Sequence, residues 1–135
     1  MKPWHQFKQD NPTGFYTKEY SDHTFIVYQH PKSGHLNGYV LLNEDEVVED
    51  AMNIDCHGGI TLEGDLSEII PVTPGRWLGF DCAHYGDLTP FYDEQLAAHG
   101  FDFGISSEEV WRDPSFVENQ CKLIIDQLKD PEYLA

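Results

Sequence analysis

Apolar residues recur along this chain in two rhythms. His23-Thr24-Phe25-Ile26-Val27-Tyr28-Gln29 is β-branched and aromatic, the composition of a strand. Pro31-Lys32-Ser33-Gly34 supplies a turn, and Gly38-Tyr39-Val40-Leu41-Leu42 a second strand. Ile54 to Leu62 and Trp77 to Cys82 predict two more, separated by the turn residues Pro71, Pro74 and Gly75. Glu44 to Ala51 is a short acidic stretch, a helical turn or a long loop. The rhythm changes after Asp113, where Val117, Cys121, Ile124, Ile125 and Leu128 fall at helical spacing. Asp113 suits the cap of that helix and Pro114 its first position. Such a stripe must pack on something, and the sheet is the available partner. Cys121, on the stripe, reads as a buried small hydrophobe.

The expectation is an α+β fold: a small antiparallel or mixed β-sheet with an amphipathic C-terminal helix packed across it. It divides one domain, residues 1–135, into a polar N-terminal arm (1–22), a sheet with its loops (23–112) and the helix (113–129). Trp4, Phe7, Phe15, Tyr16 and Tyr20 are expected to pin the arm onto the body. At 135 residues the chain can bury a core without disulfides. Three cysteines cannot all pair with one another, which fits a reduced compartment. No apolar run reaches the roughly 20 residues of a membrane span, and no apolar leader opens the chain. These features predict a soluble intracellular protein.

Charge sharpens the picture. The formal net charge is −16, from eight basic and 24 acidic residues. Residues 1–32 carry Lys2, Lys8, Lys18 and Lys32 against Asp10, Glu19 and Asp22, a net of +1. No lysine or arginine lies between Ser33 and Gly75, where nine acids fall. This excludes ordinary nucleic-acid binding, which needs cations to displace counterions from phosphates. It favours attraction to a basic protein surface. Glu44, Asp45, Glu46 and Glu49 are the candidate docking residues; a merely solvated face is the simpler alternative.

Two motifs could carry chemistry. Cys56-His57-Gly58-Gly59-Ile60-Thr61 sets a histidine beside paired glycines, where the backbone turns sharply or approaches another group. Gly79-Phe80-Asp81-Cys82-Ala83-His84-Tyr85-Gly86-Asp87 leaves a strand and presents Asp81, His84 and Asp87 at intervals of three. Imidazole nitrogen and carboxylate oxygen both suit Zn²⁺, so His57, Asp81, His84 and Asp87 would complete a four-ligand zinc site. Cys56 and Cys82 are softer, tighter zinc ligands, but alternation along a strand turns each away from its neighbouring ligand. The plainer alternative makes Asp81 and Asp87 turn caps and His84 a hydrogen-bonded core residue. His5, His23, His30, His35 and His99 lack a second ligand at useful spacing and read as solvated.

His57-Gly58-Gly59-Ile60-Thr61, the segment Trp77 to Asp87 and the Phe116–Leu128 helix together resemble a family of small proteins. These are carried by phages and mobile elements of Gram-positive bacteria and mostly lack an assigned function. Small acidic proteins of this kind include a zinc-containing anti-CRISPR inhibitor of a type II RNA-guided DNA nuclease. The resemblance spans roughly residues 38–129 and implies a metal at the motif residues, a type II CRISPR effector nuclease as partner, and the cytoplasm of a bacterial host. Such a nuclease holds nucleic acid in positively charged channels, which gives an acidic ligand somewhere to dock. The alternative is a metal-dependent hydrolase of phosphoesters or nucleotides, for which Arg76 is the nearby cation. A plain structural or accessory phage protein needs no site beyond the metal.

Overall fold

The computed structural model describes residues 1–71, 73–100 and 108–130. Its elements are α1 (Pro3–Asp10), β1 (Phe15–Tyr20), β2 (His23–Gln29), β3 (Leu36–Leu41), β4 (Leu62–Gly64), β5 (Trp77–Asp81), α2 (Pro90–Ala98) and α3 (Pro114–Leu128). The five strands form one antiparallel sheet in the order β1-β2-β3-β5-β4. The fold is therefore α+β, with α3 packed on the sheet against β3 and β2.

Strand alternation splits the core in two. Phe25, Val27, Leu36, Val40, Leu78 and Phe80 face α3 and meet Val117, Cys121, Ile124, Ile125 and Leu128. All five stripe residues are buried, and Asp113 caps the helix by accepting the Phe116 N–H at 2.9 Å. Gly38 lets the helix come this close. A β-carbon there would lie 2.5 Å from the Phe80 ring and 2.8 Å from the Cys121 sulfur. Ile26, Tyr39 and Trp77 face the other way, onto Leu66 and Ile70 of the loop after β4.

Two regions differ from expectation. Residues 1–22, expected as a polar arm, form a helix and an edge strand. The two-residue turn Ser21–Asp22, with φ of 50° and 66°, closes β1 onto β2 as a tight hairpin. Aromatic pinning occurs inside that structure: Phe7 is buried in the main core beside Tyr16. The second difference is Ile54 to Leu62, expected as a strand. Only Leu62–Gly64 pairs with β5. Gly58 and Gly59 both adopt left-handed φ values, 71° and 81°, and the Gly59 N–H closes a turn on the Cys56 carbonyl. A ladder cannot run through that pair. The stretch before it is a loop with a single 3-10 turn, Ala51–Asn53, capped by Asp50. No helix is long and apolar enough to cross a membrane among the described residues.

Candidate functional site

The two motifs meet at one end of the sheet. β5 ends at Asp81, and the chain turns through His84 to Asp87. The His57 loop is tied to the same end by Thr61, whose N–H donates to the Gly79 carbonyl and whose hydroxyl donates to Asp81 at 3.3 Å. It is also tied to α3. The His57 N–H donates to the Gln120 side chain, and Gln127 accepts from the Asp55 N–H while donating to its carbonyl.

Asp87 is the hub. Its side chain is wholly buried, and one oxygen takes both the His57 Nε2 hydrogen at 2.7 Å and the His84 backbone N–H at 3.0 Å. The other oxygen accepts from Arg112 Nε at 2.9 Å. Burial alone would raise this carboxyl's pKa; the hydrogen bonds from His57, Arg112 and the His84 N–H outweigh it and hold the pKa below the ordinary value. Arg112 is delivered by a short parallel bridge between Asp87 and Val110, and its guanidinium stacks over Phe116.

Asp81 and His84 form a second couple. His84 Nε2 lies 3.2 Å from Asp81 Oδ1, yet this nitrogen is shielded from solvent without a hydrogen-bond partner. The imidazoles of His57 and His84 meet edge-on, 5.8 Å between centres. Gly58 makes the approach possible: a β-carbon there would stand 2.1 Å from His84 Nε2. Paired glycines beside a histidine thus serve both a turn and a close contact.

All four expected ligands are in this cluster, arranged as two histidine–carboxylate couples. The capping roles are present too: Asp81 accepts the Ala83 N–H and Asp87 the His84 N–H. As the side chains stand, no group of three or more His, Cys, Asp or Glu among the described residues is arranged to hold a metal ion. The donor chemistry nevertheless suits zinc, and His84 Nε2, held 3.2 Å from the Asp81 carboxylate, makes no hydrogen bond that a metal would have to break. The cysteines point elsewhere. Cys82 and Cys121 are buried in the main core and Cys56 packs against it. Burial raises all three thiol pKa values, that of Cys56 to about 11, which disfavours the thiolate a metal would need.

Arg112 and Gln120 escaped sequence reasoning; each lies far from the motifs and has no spacing signal. Thr61 belongs to the first motif, but nothing in the sequence marks it as a tie to Asp81. The acidic loop also holds a surprise. Glu44, Asp45 and Glu49 are exposed, but Glu46 turns inward. It accepts from His23 Nε2 at 2.7 Å and from the Asn43 N–H at 2.7 Å. His23, expected to be solvated, is buried, with Nδ1 facing the Ser21 carbonyl. His35 is also buried, paired with Ser33 and stacked on the half-buried His30. Arg76 is spent on the same acidic loop, donating to the carbonyls of Asn43 and Glu46. Compared with known protein families, curated proteins and solved structures, the chain shows no significant match.

Proposed function

We propose that the chain is a non-catalytic acidic binding protein that inhibits a type II CRISPR RNA-guided nuclease in the cytoplasm of a bacterial host. The observation that carries this reading is the uncompensated acidic surface. Glu44, Asp45, Glu49, Asp55, Glu63 and Glu68 are exposed, and among the described residues none of them pairs with a lysine or arginine. Charges left unpaired in this way steer a protein toward a basic partner and make the encounter sensitive to salt.

Zinc has a structural place in this reading. His57, Asp81, His84 and Asp87 would hold it, and it would supply cross-linking energy between the His57 loop and the β5 exit. The hydrolase alternative has less behind it. Arg76 is engaged on the acidic loop, and Arg112 is committed to the buried Asp87.

The test is capture of a purified type II nuclease across a salt series. Binding that falls steeply with salt, and falls further in a Glu44→Lys/Asp45→Lys/Glu49→Lys variant, supports the proposal. Binding unchanged in that variant overturns the acidic docking surface. Glu46 stays out of the set, because reversing it would unseat His23. Elemental analysis runs alongside: about one zinc per chain, lost in a His57→Ala/His84→Ala variant, supports the metal, and no metal in either removes it.

A further inference from the structure

The turn from β2 into β3 carries more than a reversal of the chain, because three outlying elements are seated on it. The Phe91 N–H, in the first turn of α2, donates to the Ser33 carbonyl at 3.0 Å. Trp111 donates its indole N–H to the Gly34 carbonyl at 2.9 Å. Gln29 donates to that same carbonyl and to the carbonyl of Trp4 in α1. The Phe91 ring lies so close over Gly34 that a β-carbon there would stand 2.9 Å from it. His5 of α1 stacks on the other side of this contact, its ring centre 5.4 Å from that of Phe91.

One imidazole holds the turn from within. His30 Nδ1 faces the backbone N–H groups of Lys32 at 3.2 Å and Ser33 at 3.4 Å. Both are donors, so this nitrogen is an acceptor and the ring is neutral, with its hydrogen on Nε2. The arrangement is that of an Asx turn, with an imidazole nitrogen in place of the carbonyl oxygen. A proton on Nδ1 would turn both bonds into donor–donor contacts. The surroundings oppose that proton as well: burial, then Lys32, lowers the His30 pKa. His35 of β3 stacks on His30, 5.1 Å between centres and 17° between planes. Burial, then His30, lowers the His35 pKa against the pull of Asp81 and Asp87, so His35 supplies no countercharge. Glu68, from the loop after β4, is the acid in the cleft beside His30, and it is exposed to water.

We infer that His30 is an acid-sensitive latch: a proton on its imidazole opens the β2–β3 turn and unseats α1, α2 and Trp111 from it. A histidine whose folded pKa is depressed contributes stability that is complete above its unfolded value, about 6.5, and is lost as pH falls below it. The latch is therefore shut at neutral pH and opens in acid. His5 works the other way, since a proton there strengthens its pairing with Glu94 and favours the closed form. The sheet and α3 stay formed, because their contact is the apolar core and not the turn. Neither a metal nor a nuclease enters this inference, so it stands apart from the docking reading.

The experiment titrates the full chain from neutral to acid pH by NMR, reading the His30 ring nitrogens, the Phe91 amide and the Trp111 indole N–H together. The expected result is one shared midpoint below about 6.5, with the amides of β3 and β5 unshifted. His30→Asn keeps an acceptor for the two N–H groups and has no proton to take up, so the shift at Phe91 and Trp111 should vanish. His30→Ala supplies no acceptor and should show the acid-form signals already at neutral pH. If His30→Ala does not fold, the unsubstituted chain and His30→Asn decide between them. Phe91 and Trp111 signals that stay put while His30 titrates overturn the latch. So does a His30→Asn variant with the same transition, which would assign it to His5 or His35. Movement of the β3 and β5 amides at the same midpoint also overturns it, as general unfolding.

Discussion

Two histidine–carboxylate couples, each closed at 2.7 Å, hold different parts of this protein, and they are not equivalent. In the His23–Glu46 couple both imidazole nitrogens have partners, Ser21 and Glu46. Nothing there is left to offer a ligand, and the couple locks the acidic loop to the sheet. In the His57–Asp87 couple the carboxylate gathers three donors, and the neighbouring imidazole of His84 has a nitrogen that makes no hydrogen bond and lies 3.2 Å from Asp81. Identical pairs of groups thus make a fastening in one place and a site with spare capacity in another. What separates them is the number of partners around the pair.

That contrast can be broken first at Asp87. Asp87→Ala leaves the Arg112 guanidinium and the His57 and His84 donors facing a void, at a cost of about 3 kcal/mol, or roughly a 10 °C fall in Tm. Calorimetry checks it, and a fall of only a degree or two would demote Asp87 from hub to ordinary cap. Gly58→Ala comes next. It combines an unfavourable φ with a collision against His84 and should cost about 2 kcal/mol. In the NMR spectrum it should displace the His57 and His84 ring signals and leave those of His23 in place. Glu46→Ala is the counterpart at the other couple, expected to cost about 1–2 kcal/mol by stranding the buried His23. It should leave zinc content unchanged; loss of metal there would erase the distinction between the couples.

The smallest effects come from pH. His35 is buried, which lowers its pKa in the folded chain, opposed by Asp81 and Asp87. A histidine whose folded pKa is depressed contributes stability that is complete above its unfolded value, about 6.5, and is lost as pH falls below it. Asp87 acts in the same direction at lower pH. Its depressed carboxyl pKa contributes stability above about 3.9, which disappears as pH falls through the folded value. Tm measured from pH 8 to pH 3 should therefore fall in two stages, and His35→Gln should flatten the first. A curve with no decline between pH 7 and pH 5 would deny the His35 contribution.

Much of the framework was legible in the chain itself because its signals are local. The α3 stripe repeats every three or four residues and carries its own cap, and β2, β3 and β5 are apolar runs bounded by turns. α1 is too short to repeat a stripe and buries only Phe7, and α2 buries only Pro90 and exposes its second half; each begins at a proline. The stretch Ile54 to Leu62 has strand-like composition, but backbone geometry at two glycines overrides it. At the site, the four expected residues were legible as motif members. Their division into couples was not, since it depends on Arg112 and α3, which approach through tertiary packing. Glu46 shows the same limit from the other side: nothing in an acidic run marks which carboxylate turns inward.

The tryptophans give the fold an optical signature. Trp4 of α1 meets Trp111, just before α3, edge-on at 5.9 Å; Trp4 donates to Glu94 of α2, and Trp111 donates to the Gly34 carbonyl. Trp77 is buried apart from them, in the cluster on the far face of the sheet. The emission of the first two therefore reports whether the beginning of the chain is seated against its final third, and the emission of the third reports whether the sheet is intact. A Trp77→Phe variant would leave an intrinsic gauge of that closure, readable without any attached dye.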